Sequence, residues 1–208
     1  MTLEPLKSEI EANVAGCRLE IVPNPSPCGQ HSLLIDPEHA LAVARFLRDA
    51  EHLRFDYCSN VTGIDWLAPA PPSKVKLKEM EEDLEQDPDE EDDGPAAGHL
   101  EAVYHLYSME KKHGPVILRM RTQDRAKRVH LPSLTPVWRS ADFQEREIFD
   151  LYGIFFDGHP DLRRILMWDE FKDHPMRRDY VEPDDYEYEP TAHDEVLRRT
   201  MEHYSKSQ

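Results

Sequence analysis

The apolar positions of this chain change their period several times, and each change marks an element. Leu3, Leu6, Ile10 and Val14 recur at helical spacing, which predicts a short amphipathic helix over residues 1–14. CRLEIV at 17–22 alternates as a half-buried strand does. PNPSPCG at 23–29 then breaks the pattern with three prolines and a glycine, and HSLLID at 31–36 resumes it as a return strand. Asp36-Pro37 predicts a helix start: the aspartate can accept a hydrogen bond from an otherwise orphaned N–H, and proline at the first helical position has none to leave orphaned. Leu41, Ala44, Leu47 and Ala50 carry the apolar stripe of that helix to about Glu51.

Strand signals dominate the middle of the chain. LRFDYCSNVTGIDW at 53–66 places Leu53, Phe55 and Tyr57 on one face. EAVYHLYSM at 101–109 and PVILRMRT at 115–122 are joined by a turn at Lys112-His113-Gly114. Val116, Leu118 and Met120 face one way there, and Ile117, Arg119 and Arg121 the other. KRVHLPSL at 127–134 adds a further strand ending at Pro132. A strand–helix–strand start followed by consecutive strands predicts an α+β fold, with a mixed or antiparallel sheet and helices on one face. Residues 68–98 interrupt it with KLKEMEEDLEQDPDEEDDG, an acidic run without aromatics, which reads as a flexible solvated insert. It lacks the regular oxygen-ligand spacing of a calcium loop.

Charge and aromatic side chains are densest from Ser140 to Tyr180. Ala141, Ile148, Leu151 and Tyr152 predict a helix, with Asp142 as N-cap, Glu145 completing a capping box and Gly153 as a left-handed C-cap. Its other face carries Glu145, Arg146, Glu147 and Asp150, and Arg146 and Asp150 are spaced to pair on the surface. Asp157-Gly158 predicts a turn. A short phrase then occurs twice, HPDLRR at 159–164 and HPMRRDY at 174–180. Each proline biases the preceding histidine away from helical angles. Such a segment has too few periodic apolar positions to offset its own ordering entropy, so its contacts must come from another surface. The expected division is an α+β domain over 1–153 and an extended partner-binding arm and tail over 154–208, with a last helix at Ala192–Tyr204. Arg163, Arg164, Arg177 and Arg178 suit an arm, because guanidinium forks bind carboxylates and carbonyls directionally. Phe149, Tyr152, Phe155, Phe156, Trp168, Phe171 and Tyr180 divide between packing the helix and anchoring a partner.

Composition removes several function classes. A net charge of −17 over 208 residues opposes nucleic-acid binding, which draws its affinity from cations on phosphate. No apolar run reaches the roughly 18–20 residues that cross a bilayer, and MTLEPLKSEI is no secretory leader, so the expected compartment is the cytoplasm. Cys17, Cys28 and Cys58 are too few to hold a four-thiolate iron–sulfur cluster. No G-x-G-x-x-G, GK[ST] or G-x-S-x-G is present, and Glu145 and Glu147 point to different sides of a helix, so no catalytic residue is expected. His159 and His174, beside Asp157, Asp161, Asp173 and Asp179, lack metal-ligand spacing, though an autonomous metal-binding protein remains the rival reading.

EREIFDLYGIFFDGHPDLRRILM at 145–167, followed by HPMRRDY, closely resembles the signature of the C subunit of bacterial NADH:quinone oxidoreductase, respiratory complex I. Weaker resemblance runs back to about Leu33. Val181 departs from it where the family usually has proline, and the insert is longer than expected between paired strands. The resemblance implies a scaffold subunit without cofactor in the peripheral arm of a proton-translocating enzyme. FMN and iron–sulfur clusters would sit in partner subunits and pass electrons from NADH to quinone. It also implies docking on the D subunit, which holds the quinone site, and on neighbouring iron–sulfur subunits, on the cytoplasmic side of the cell membrane. The equivalent subunit of a membrane-bound NiFe-hydrogenase-type complex is the alternative. The contact residues so implied are Glu145, Arg146, Glu147, Asp150, His159, Asp161, Arg163, Arg164, Arg177 and Asp179.

Overall fold

A computed structural model describes residues 2–67 and 98–181. The acidic insert, apart from Gly98, and the expected helix at 192–204 lie outside them. Two compact units divide the chain, Met1–Arg178 and Asp179–Gln208, and only residues 179–181 of the second are described. The boundary therefore falls after Arg178 rather than after Gly153, because residues 154–178 are bonded into the first unit.

Helix α1 (Leu3–Asn13) buries Leu6 and Ile10. Strands β1 (Leu19–Val22) and β2 (Ser32–Ile35) form an antiparallel pair, with Leu19 opposite Ile35. Asp36 caps the next turn as its sequence predicts, accepting from the Glu38 N–H at 3.2 Å, and α2 (Ala40–Asp49) buries Ala40, Val43, Ala44 and Leu47. Strands β3 (Tyr57–Trp66), β4 (His99–Ser108) and β5 (His113–Arg121) are antiparallel neighbours. The whole sheet runs β1-β2-β5-β4-β3, and its one parallel junction sets β2 beside β5, with Leu33 opposite Leu118. This is the mixed sheet of an α+β domain.

Period-two alternation then assigns the two faces. Leu33, Ile35, Leu100, Ala102, Tyr104, Leu106, Val116, Leu118 and Met120 share one core with the buried faces of the helices. The opposite face carries Ser32, Thr62, Ile64, His99, Glu101, Val103, Ile117, Arg119 and Arg121.

Two expectations are corrected here. The strand predicted from residue 53 begins at Tyr57. Leu53 and Phe55 are buried in the approach to it, and a register shift between Cys58 and Asn60 leaves Tyr57 exposed. The strand predicted at 127–134 becomes β6 (His130–Pro132). It leaves the main sheet and pairs in parallel with a strand the periodicity missed, β7 (Phe155–Asp157). Between them lies α3 (Asp142–Tyr152), which contacts β3. A Cβ on Gly63 of β3 would lie 2.6 Å from the Tyr152 ring, so glycine there lets the helix approach closely.

Candidate partner-binding site

Three of the four charged residues on that face of α3, Glu145, Arg146 and Asp150, are turned inward. No side-chain cap closes its N-terminus, because Asp142 already lies inside the helix behind a single 3-10 turn at Arg139–Ala141. Glu145 is likewise not a cap. It is fully buried and accepts from the Tyr104 hydroxyl at 2.9 Å, the Ser133 hydroxyl at 2.6 Å and the Leu134 N–H at 2.9 Å. Burial pushes its carboxyl up to about 7 despite these three donors. Arg146 does not pair with Asp150. Its guanidinium approaches Asp161 at 3.7 Å, donates to the Arg163 carbonyl and lies 5.3 Å from the Phe143 ring centre.

Asp150 is the hub. One carboxylate oxygen takes Arg164 Nη1 at 2.7 Å, and the other takes three successive backbone N–H groups, from Ile165, Leu166 and Met167, at 2.7–3.0 Å. Burial raises the pKa of this carboxyl, but the backbone donors and Arg164 outweigh it and hold the group below the usual aspartate range.

The two His-Pro phrases grip opposite ends of the same helix. His159 of the first donates to the Asp142 carbonyl at 3.1 Å, near the N-terminus. In the second phrase, His174 donates to the Asp150 carbonyl at 3.0 Å, the Met176 N–H to Leu151 at 3.1 Å and Arg177 to Tyr152 at 2.6 Å. Gly153, at φ +76°, returns its N–H to the Phe149 carbonyl. All four terminal carbonyls of α3 are thus satisfied by the chain that follows it. Burial lowers the pKa of His174, which favours the neutral ring that makes this bond.

Of the ten residues implied as partner contacts, Glu145, Arg146 and Asp150 are buried and held by their own chain. His159, Arg164 and Arg177 are committed to α3. Glu147, Asp161 and Arg163 remain exposed, with the Arg163 side chain 69% accessible and bonded to Asp161. Asp179 lies in the second unit. Leu166, Met176, Trp168 and Phe143 also stand exposed. Sequence reasoning missed Asp65, whose carboxylate takes both arms of Arg125 at 2.6 Å and the Arg178 N–H at 2.8 Å, tying the end of the second phrase to β3. No local pattern signals that link, since its partners lie far apart in sequence. Among the described residues no group of three metal-ligating side chains converges, and no helix is long and apolar enough to cross a membrane.

These features define a class: a five-stranded α+β domain whose C-terminal segment is clasped along one helix. The sequence profile of the respiratory-chain NADH dehydrogenase 30 kDa subunit matches residues 33–186, and the chain belongs to that family. The C subunit of NADH-quinone oxidoreductase from Salinispora tropica is 38% identical over 152 residues, 73% of this chain and 50% of that one. Its counterpart from Roseiflexus castenholzii is 36% identical over 151 residues, 73% of this chain and 70% of that one. The chain thus spans about half the length of the Salinispora relative. A chain of the membrane-bound sulfane sulfur reductase, an archaeal respiratory membrane complex, shares the fold with a TM-score of 0.50. It is 14% identical over 94% of this chain and 91% of that one.

Proposed function

We propose that this chain is a scaffold subunit in the peripheral arm of a proton-translocating NADH:quinone oxidoreductase. It carries no redox centre. It docks on the D subunit, which holds the quinone site, and on neighbouring iron–sulfur subunits, on the cytoplasmic side of the membrane. FMN and the clusters belong to those partners, which pass electrons from NADH to quinone. The clasp on α3 carries the reading. A segment without periodic structure is fixed at both ends of one helix, and it offers Leu166, Trp168 and Met176 outward with Asp161 and Arg163. Interface cores favour such aromatic, methionine and arginine side chains.

The test is affinity purification from the native host of an N-terminally tagged chain, with partners identified by mass spectrometry and NADH:quinone reduction assayed. Recovery of quinone-site and iron–sulfur subunits with that activity is expected. Arg163→Ala and Leu166→Glu are expected to reduce the recovered partners while the isolated chain keeps its stability. The Asp161–Arg163 pair is exposed and screened by solvent, so its loss is expected to leave the fold intact. Recovery of hydrogenase subunits instead would change the reaction, and a chain recovered alone with stoichiometric metal would overturn the scaffold reading.

A further inference from the structure

The sheet face opposite the helices holds a groove of about 530 Å³. The loop after β1 walls one end with Pro23, Asn24 and Pro25, and Trp66 and His99 wall the other. Val22, Ile64, Val103 and Ile117 supply apolar floor between them. The floor spans all five strands. With neighbouring strands about 4.8 Å apart, that is roughly 20 Å, the length of about six residues of extended chain.

Its charge is opposite to that of the protein. The ionisable side chains lining the groove are Arg119, Arg121, His99 and His105, with no carboxylate among them, in a chain of net charge −17. Glu101 lies fully buried beneath and pairs with Arg119, Arg121 and His99, so one carboxylate fixes two guanidinium groups. Arg119 also lies 6.0 Å from the Trp66 ring centre, and its Nε has no hydrogen-bond partner among the described residues. One negative charge against two fixed positive ones leaves a cationic surplus beside an apolar floor.

We infer that this groove is a second protein-docking site, which takes an extended acidic segment of a partner laid across the strands. Alternate side chains of that segment face the floor: apolar ones meet Val103 and Ile117, and a carboxylate meets Arg119 and Arg121. The inference stands apart from the assignment to a respiratory complex, because it concerns the face away from α3 and its clasp.

The probe is a fluorescein-labelled, end-capped peptide, Val-Thr-Glu-Thr-Val-Thr-Glu, which puts valine and glutamate on one face of a strand. It is titrated with the full chain by fluorescence anisotropy. Saturable binding is expected, weakening about tenfold as salt rises from about 0.05 to about 0.5 M, since exposed charge pairs are screened. A version with lysine for glutamate is expected not to bind. Thr62→Glu puts a carboxylate at an exposed position of the groove and is expected to abolish binding while circular dichroism stays unchanged. Arg121→Gln is expected to weaken binding about tenfold. Arg119 is left intact because it is the more buried of the two guanidinium groups, while Glu101 keeps Arg119 and His99 in the Arg121 variant. Three results would overturn the inference: no saturable binding, equal binding of the lysine peptide, or full binding by a folded Thr62→Glu chain. Binding that appears only once the acidic residues of 79–93 are changed to amides would also overturn it, by making the chain's own segment the occupant.

Discussion

Asp150 and Arg164 lie fourteen residues apart in sequence, yet their side chains meet at 2.7 Å. The carboxylate sits in the last turn of a helix, where the aligned peptide dipoles disfavour negative charge, so other groups must compensate. Arg164 and three backbone N–H groups do so. Asp150→Asn is therefore expected to release the 160–178 segment and cost about 3 kcal/mol, as breaking a buried pair typically does. Hydrogen exchange at Ile165, Leu166 and Met167 checks it. Unchanged protection at those amides would show that the segment is held by something else.

Glu145 gives a pH dependence of the opposite sign to an ordinary paired carboxylate. Its folded pKa is raised to about 7 from 4.5, so the fold binds its proton more tightly than the unfolded chain does. Its contribution to stability is then full below about pH 4.5 and declines as pH rises through 7. His174 and His105, whose pKa values burial lowers, act the other way across part of this window. The difference between wild type and Glu145→Gln isolates the carboxyl. Glutamine mimics the protonated acid, so the variant is expected to gain roughly 3 kcal/mol on wild type between pH 5 and pH 8. Urea denaturation at the two pH values measures it, and a pH-independent difference would rule out titration of this group.

Gly153→Ala combines two penalties. The residue sits at φ +76°, where an L side chain costs about 1–2 kcal/mol. A Cβ would also lie 2.5 Å from His174 Nε2 and 2.7 Å from Arg177 Nη2, the groups that cap α3. A loss of at least about 2 kcal/mol is expected, together with a shift of the His174 ring resonances in NMR spectra.

The cysteines are expected to react in a fixed order. Cys28 is exposed, and a hydrogen bond from the Gln30 backbone leads the effects that lower its pKa. Cys58 is buried, and desolvation, aided by Glu145, pushes it up to about 12. Since the thiolate is the reactive form, iodoacetamide at neutral pH is expected to label Cys28 first. Cys58 is expected to label only on unfolding, and Cys17, also buried with a raised pKa, to lag behind Cys28. Mass spectrometry of timed digests reads the order directly.

Much of the domain is legible in the sequence because its signals are local. Alternation locates β1, β2, β4 and β5, and Asp36-Pro37 announces the turn into α2. The site is less legible. A pattern of charges on a helix cannot say which face is buried, so Glu145 and Asp150 read as surface residues when both lie in the interior. Asp150 does leave one clue, a carboxylate at the unfavourable end of its helix. β7 escapes notice because three residues pairing in parallel with β6 carry no period of their own. The composition of 159–178 says that the segment needs another surface, and it does, but that surface is α3 of the same chain.

The parallel junction of β2 with β5 has a temporal consequence. Leu33 is synthesised 85 residues before Leu118, the residue it pairs with. At about 5–20 residues per second, the first hairpin waits roughly 4–17 seconds on the ribosome for the strand that covers its edge. Throughout that interval the apolar sides of β2 and α2 lack most of their eventual core. Newborn chains are thus exposed to aggregation for seconds even if the finished domain is stable. Overproduction is expected to favour weak induction, which starts fewer chains and so keeps the number of such incomplete chains low at any moment.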